Sequence, residues 1–233
     1  MISVRPLMRP KIDEAFAMNQ AIIFDMDGTL WDSAANVAES WNEAVKKEGY
    51  DYHFTKDDIM SVMGKTMDQI GDILFSNLPV AQRRSLMEVC CAEENAYLAA
   101  HGGELYPDLK ETMERLKEQY DLYIVSNCQS GYIEGFLAYY HFGNLFKGHL
   151  CFGDTGLTKG ANIAKLCKDQ GIEQAIYVGD IQGDYDSTME AGQRFIHAAY
   201  GFGTINGKVP KINSLPELLQ VAPQVFKGDY SIE

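Results

Sequence analysis

Short apolar runs alternate with stretches of helical periodicity along most of the chain. The runs at residues 21–25, 122–126, 149–152, 175–180 and 194–199 are apolar at most positions, which is typical of strands buried on both faces of a parallel sheet. Between most of these runs, apolar residues recur every three or four positions, as in a helix that packs on a sheet. The alternation from residue 107 onward predicts an α/β fold built on a doubly wound parallel sheet.

The segment from residue 34 to residue 100 has a helical pattern throughout. An apolar stripe through Val37 and Trp41 indicates one helix, and Pro79 opens a long one. We therefore expect a helical insert within the α/β core. The predicted domains are residues 34–100 for the insert, 18–33 and 101–233 for the core, and 1–17 for a poorly ordered N-terminal extension.

Composition narrows the range of partners. Of the 233 residues, 46% are hydrophobic and 23% are charged, and the formal net charge is −13. Such a globular, acidic chain repels polyanions, so we expect neither nucleic acid nor a membrane as a partner. The 5 cysteines include no C-x-x-C pair, which predicts a reducing, cytoplasmic location without disulfides. A monomer and a dimer are equally compatible with the sequence.

Two acids stand at the end of the first predicted strand. Asp25 and Asp27 are two residues apart, start out on the same side of the chain, and are followed by Gly28. An Asp-Gly pair also suits an ordinary turn. However, an acid that closes a rigid, buried strand is well placed to act as a nucleophile, and Gly28 lets backbone N–H groups approach a ligand oxygen closely.

Another pair of acids follows the predicted strand at residues 175–180. Asp180 and Asp184 are one helical turn apart, and by themselves they also fit a helix N-terminus, which favours acids. In a parallel sheet the carboxyl ends of the strands share one edge, so Asp25 and Asp27 should meet them there. Crowded carboxylates need a cation, and their oxygens suit Mg²⁺.

Two further polar groups lie near other strand ends. Ser126 and Asn127 offer donors to a phosphoryl oxygen, although they also fit a simple turn. Lys159 stands at a predicted helix start, where its charge opposes the helix dipole. A solvated surface lysine is the ordinary alternative, but beside several acids Lys159 would neutralise a small anionic substrate.

These residues, in this order and spacing, resemble the four motifs of the haloacid dehalogenase superfamily. The helical insert resembles the cap of its phosphoglycolate phosphatase and β-phosphoglucomutase branch, and the resemblance covers residues 18–221. It implies a Rossmann-like core with an inserted α-helical cap domain. It also implies a Mg²⁺-dependent phosphatase acting on a small phosphorylated metabolite, such as a phosphoglycolate-like compound, a sugar phosphate or a nucleotide.

The resemblance assigns a role to each motif residue. Asp25 attacks phosphorus and forms an aspartyl-phosphate, and Asp27 acts as general acid and then as general base. Lys159 offsets charge on the phosphoryl oxygens. The residues implied to bind phosphate are Gly28, Ser126, Asn127 and Lys159, and those implied to hold Mg²⁺ are Asp25, Asp27 (through its backbone carbonyl), Asp180 and Asp184.

Other activities of the superfamily remain open alternatives. A phosphosugar mutase uses the same aspartyl-phosphate, but its cap arginine corresponds here to Met67. A dehalogenase lacks the second acid of the first motif, whereas Asp27 is present. A phosphonatase needs a cap lysine, for which Lys65 is available, and a non-catalytic, phosphate-binding regulatory relative would show a broken first motif. One departure from the family pattern is Gly160, which stands where many relatives have proline.

Overall fold

The computed structural model describes residues 19–229. The strands of this range are β1 (Gln20–Phe24), β2 (Trp31–Asp32), β3 (Glu104–Leu105), β4 (Asp121–Ser126), β5 (Gly148–Cys151), β6 (Gln174–Gly179), β7 (Arg194–Ala198) and β8 (Lys211–Ile212). Six of them form a sheet in the order β5-β4-β1-β6-β7-β8, and every neighbouring pair is parallel. The predicted parallel sheet is confirmed.

Helices occupy most of the remaining described chain. They are α1 (Ala34–Lys47), α2 (Lys56–Met60), α3 (Met67–Leu74), α4 (Val80–His101), α5 (Leu109–Leu116), α6 (Tyr132–Tyr139), α7 (Phe152–Thr155), α8 (Lys159–Gln170), α9 (Gln182–Glu190) and α10 (Leu218–Phe226), with a 3₁₀ turn at Leu215–Glu217. None of the helices in residues 19–229 has the length and apolarity required to span a bilayer.

Helices cover both faces of the sheet, and its central strand β1 is apolar on both sides. Ile22 and Phe24 belong to the core that also contains residues of α5, α6 and α10. Ala21 and Ile23 point to the opposite face, where α8 packs. The chain is therefore doubly wound, as predicted, and all carboxyl ends of the parallel strands lie along one edge.

Helices α1 to α4 follow one another between the short strands β2 and β3. These two strands pair antiparallel, Trp31 opposite Leu105, and form a ribbon through which the chain leaves and rejoins the sheet. Gly103 lies against this ribbon, since a Cβ at that position would approach Trp31 to 2.9 Å. The ribbon is a natural boundary for the predicted helical domain, whose division from the core stays a prediction.

Some features were not predicted from the sequence. β2, β3 and β8 contain 2 residues each, which is too short for a period-two pattern to be recognised. The predicted extension at residues 1–17 lies outside the described residues.

Candidate active site

Asp25 lies where β1 leaves the sheet. It follows Phe24 directly, and its backbone N–H still donates to Val178 O of β6 at 2.9 Å. The carboxylate is therefore fixed at the carboxyl edge of the sheet, and the residue is 2% exposed. Gly28 turns the chain with a φ of +79°, a conformation that favours glycine, and its N–H donates to Trp31 O.

Asp180 and Asp184 reach the same edge from the end of β6 and the first turn of α9. Asp25, Asp180 and Asp184 are buried, and each has a carboxylate oxygen within 4.8 Å of those of the other two. Asp184 Oδ2 accepts the backbone N–H groups of Asp180 at 3.0 Å and Ile181 at 3.2 Å. Asp184 thus caps α9 and faces the cluster at the same time, so the two interpretations of this acid are compatible.

Glycines provide the space that Asp180 occupies. A Cβ at Gly28 would lie 2.1 Å from Asp180 Oδ2, and one at Gly201 would lie 2.4 Å from Asp180 Cβ. The backbone N–H of Phe202 donates to Asp180 Oδ2 at 2.8 Å. The loop after β7 is therefore part of the site. This was not predicted from the sequence, although glycines after a strand end are a usable signal.

Lys159 is buried among the acids and is not a solvated surface residue. Thr158 Oγ1 accepts the N–H of Ala161 at 3.3 Å and caps α8, which places Lys159 in the first turn. Its Nζ donates to Asp25 Oδ1 at 3.0 Å and to Asp184 Oδ1 at 2.6 Å. Burial disfavours the ammonium charge, but the two acids outweigh it and hold the pKa of Lys159 above its usual range.

Gly160 has a packing role in this arrangement. A Cβ there would lie 2.7 Å from Glu190 Oε2 and 3.0 Å from Ser187 O, both on α9. Helices α8 and α9 therefore approach each other closely at this point. The glycine helps to hold Lys159 beside Asp184, and the departure from the family pattern leaves the charge in place.

Negative charge exceeds positive charge in the cluster. Burial raises the pKa of Asp25 to about 7, an effect that Asp184 strengthens and Lys159 opposes. Burial, together with the neighbouring charges of Asp184 and Asp25, also raises the pKa of Asp180. A cation among these oxygens would remove the conflict, and oxygen donors are the ligands that Mg²⁺ prefers. The donor set thus fits the predicted metal.

Asp27 is bonded to hydroxyl groups and not to the lysine. Ser33 Oγ donates to Asp27 Oδ1 at 2.5 Å, and Tyr132 OH donates to the same oxygen at 2.7 Å. Burial raises the pKa of Asp27, and these two hydrogen bonds lower it in part. Neither partner was predicted from the sequence, because Ser33 and Tyr132 are 6 and 105 residues away and their spacing forms no motif.

Ser126 and Asn127 line a small cavity between the sheet edge and α1–α4, and Asp27 lines the same cavity. The centre of a water molecule can move within about 30 Å³ of it, which is room for roughly two waters. Asn127 Nδ2 donates to Gly64 O at 2.8 Å. This hydrogen bond ties the loop after β4 to the helical segment.

A buried glutamate of α4 lines the cavity as well. Glu94 is 3% exposed, and burial raises its pKa to about 7. Trp41 Nε1 donates to one of its carboxylate oxygens and Gln129 Nε2 to the other. Trp41, which the apolar stripe placed on a helix, is buried and also lines the cavity. Glu94 carried no signal, since α4 contains several glutamates.

Comparison with known proteins identifies the family. The sequence model of the haloacid dehalogenase-like hydrolases matches residues 22–198. The chain belongs to this family. The resemblance inferred from the four motifs is thereby confirmed.

Relatives of this haloacid dehalogenase-like hydrolase include proteins named phosphoglycolate phosphatase. Those from Aliivibrio fischeri and Aquifex aeolicus are 29% and 26% identical, covering 85% and 82% of this chain and 90% of each relative. A solved haloacid dehalogenase-like hydrolase from Bacteroides fragilis has a TM-score of 0.74 at 23% identity, covering 86% of this chain and 99% of that chain, which shows the shared fold. The enzyme is a phosphatase, a phosphoric monoester hydrolase of the family.

Proposed function

We propose that this phosphatase hydrolyses a small phosphate monoester in a Mg²⁺-dependent reaction that passes through an aspartyl-phosphate. The observation that carries the proposal is the buried cluster of Asp25, Asp180 and Asp184 around Lys159 Nζ. Phosphoryl transfer depends mainly on positioning and on neutralisation of charge. A fixed carboxylate beside a lysine and a set of cation ligands supplies both.

Asp25 is the proposed nucleophile. Its carboxylate oxygen forms a bond to phosphorus while the bond from phosphorus to the leaving oxygen breaks. Lys159, hydrogen-bonded to Asp25 Oδ1, favours the ionised carboxylate and offsets the charge of the transferring phosphoryl group. Asp25, the backbone carbonyl of Asp27, Asp180 and Asp184 would hold Mg²⁺, which would supply further positive charge at the phosphoryl oxygens.

Asp27 is the proposed general acid and base. It gives a proton to the leaving oxygen, and later takes a proton from the water that cleaves the aspartyl-phosphate to release phosphate. Burial raises the pKa of Asp27 and so favours the protonated form that a general acid needs. The hydrogen bonds from Ser33 and Tyr132 hold the carboxyl group in one orientation.

Ser126, Asn127 and Gly28 are the proposed phosphate-binding groups. Ser126 and Asn127 share the cavity with Asp27, and Gly28 places the β1 loop within reach of Asp180. The relatives' names make phosphoglycolate one substrate to test, alongside sugar phosphates and nucleotides. The proposed substrate is a small phosphorylated metabolite, and the proposed location of the enzyme is the cytoplasm.

The mutase alternative receives no support from the cavity. Met67 begins α3 and lines the cavity, so the position expected to carry the mutase arginine offers an apolar side chain. Lys65 is exposed, whereas the amine of a phosphonatase active site has to be desolvated.

The test is phosphate release from a panel of monoesters, with Mg²⁺ and with a chelator. We expect turnover only with the divalent ion, and a covalent phosphate on Asp25 after rapid quenching. Asp25→Asn should retain the fold and lose both turnover and the trapped phosphate. Substantial turnover by Asp25→Asn, or turnover that persists in the chelator, would contradict the proposed mechanism.

A further inference from the structure

The part of the cavity formed by α1, α4 and the loop after β4 is dominated by hydrogen-bond acceptors. Glu94 brings a carboxylate there, with Trp41 Nε1 at 2.6 Å from Oε2 and Gln129 Nε2 at 3.1 Å from Oε1. Each oxygen of a carboxylate has capacity for a second hydrogen bond. The group is therefore fixed in position but still able to accept from a ligand.

Gln129 adds an acceptor whose orientation is fixed by its partners. Its Nε2 donates to Glu94 Oε1 and, at 3.0 Å, to Asn95 Oδ1. Rotating the amide would turn its oxygen toward those two oxygens, so Nε2 must face them. Gln129 Oε1 is buried and has no hydrogen-bond partner within residues 19–229. An orphaned buried acceptor of this kind carries an energetic penalty unless a ligand donates to it.

The side chain of Asn127, in the loop after β4, has the same arrangement. Its Nδ2 donates to Gly64 O, and its Oδ1 is buried and unpartnered in the described part of the chain. The nearby N–H groups of Trp41 and Gln129 are already used by Glu94 and Asn95. A ligand that enters this part of the cavity therefore meets mainly acceptors, among them the buried carboxyl group of Glu94.

We propose that Glu94 and Gln129 select the leaving group of the substrate. The selected leaving group has a hydrogen-bond donor, a hydroxyl or an ammonium group, close to the ester oxygen, and it has no carboxylate. The inference rests on the proposed function and names its substrate class. A donor satisfies Gln129 Oε1 and the spare capacity of Glu94, whereas a carboxylate at the same place would lie against acceptors. Lys65 also lines the cavity, but its side chain is exposed. The small free volume of the cavity restricts the leaving group to a few atoms.

Three phosphate esters of similar size test, in the wild-type enzyme, which chemical group the leaving-group site accepts. They are 2-hydroxyethyl phosphate, O-phosphoethanolamine and phosphoglycolate, whose leaving groups end in a hydroxyl, an ammonium and a carboxylate. We expect kcat/KM with the better of the first two to exceed that with phosphoglycolate by about a hundredfold, because a site built for donors rejects a ligand that lacks them. The first two esters also distinguish the hydroxyl from the ammonium.

Glu94→Gln tests the residue directly, since it removes the charge at nearly constant shape. The ratio of kcat/KM for the donor-bearing ester to that for phosphoglycolate should fall by about tenfold or more when the like charge is removed. Glu93→Gln is the matched control, because Glu93 is the neighbouring residue and pairs with Lys47 on the outer surface of α4. It should leave the ratio unchanged.

The outcomes separate this inference from the proposed function. Wild-type preference for phosphoglycolate would overturn the inference and leave the phosphatase mechanism standing. If a folded Glu94→Gln variant has the same ratio of kcat/KM values as the wild type, Glu94 does not select the leaving group. Absence of Mg²⁺-dependent phosphate release from every monoester tested would overturn the proposed function itself. The wild-type comparison is decisive even when the variant fails to fold.

Discussion

The acid cluster at the sheet edge and the cavity below α1–α4 are fixed in different ways. Asp25 and Asp180 follow strands directly, and backbone N–H groups and Lys159 hold the acids in place. The cavity is bounded by side chains from α1 to α4 and from the loop after β4, joined across the gap by hydrogen bonds such as that from Gln129 to Glu94. Rigid strand ends suit groups that must approach phosphorus in one geometry. The helix side chains around the cavity can be replaced without disturbing that geometry.

Among the variants that compare the two regions, Asp27→Asn should have the largest effect, because Asp27 belongs to both. Loss of the general acid should lower turnover of alkyl phosphates by about 10²–10⁴-fold, and the loss should be far smaller with p-nitrophenyl phosphate, whose leaving group needs no proton. The measurement is kcat across esters of differing leaving-group pKa. Asp32→Asn, which removes a nearby acid bonded to Lys56, is the control, and equal losses for all esters would argue against Asp27 as the acid.

Lys159→Met should break the acid cluster. Removing one partner of a buried ion pair typically lowers the free energy of unfolding by about 3–5 kcal/mol, and Asp25 and Asp184 would be left uncompensated. Saturating Mg²⁺ should recover part of the loss. Urea unfolding with and without the ion measures both effects. Lys165→Met on the same helix removes an exposed pair with Asp169 and should cost at most about 1 kcal/mol; a similar cost for the two variants would contradict this picture.

Glu94→Gln should change how stability depends on pH. The pKa of Glu94 is raised from 4.5 to about 7 in the folded protein, so the unfolded chain loses this proton first as pH rises. Stability of the wild type should therefore fall between about pH 4.5 and pH 7 and level off above, by up to about 3 kcal/mol. The variant lacks this contribution. Unfolding free energies at pH 5 and pH 8 give the difference, and Glu93→Gln should behave like the wild type.

Tyr132 lies at the boundary between the two regions, and Tyr132→Phe should have the smallest effect. Losing one hydrogen bond to Asp27 should cost about tenfold in kcat for alkyl phosphates. Because that bond lowers the pKa of Asp27, its removal should also move the alkaline limb of the pH profile upward. Tyr139→Phe on the exposed side of α6 is the control. A rate loss without the shift would indicate a structural role alone.

The sequence by itself determined the core and the acids at its edge. Apolar runs indicate buried strands, because a strand in a sheet that is covered on both faces buries the side chains on both of its sides. Parallel strands end at one edge, so the acids that close the runs at Asp25 and Asp180 had to come together there. The family followed from the order and spacing of those residues.

Tertiary structure alone decided what surrounds them. Tyr132 and Ser33 reach Asp27, and Glu94 and Gln129 meet across the cavity, because packing of separate helices and loops brings distant residues together. No periodicity or spacing in the sequence encodes such contacts. The burial of Lys159, the roles of Gly160 and Gly201, and the chemistry of the leaving-group cavity depend on these contacts, and therefore only the folded protein reveals them.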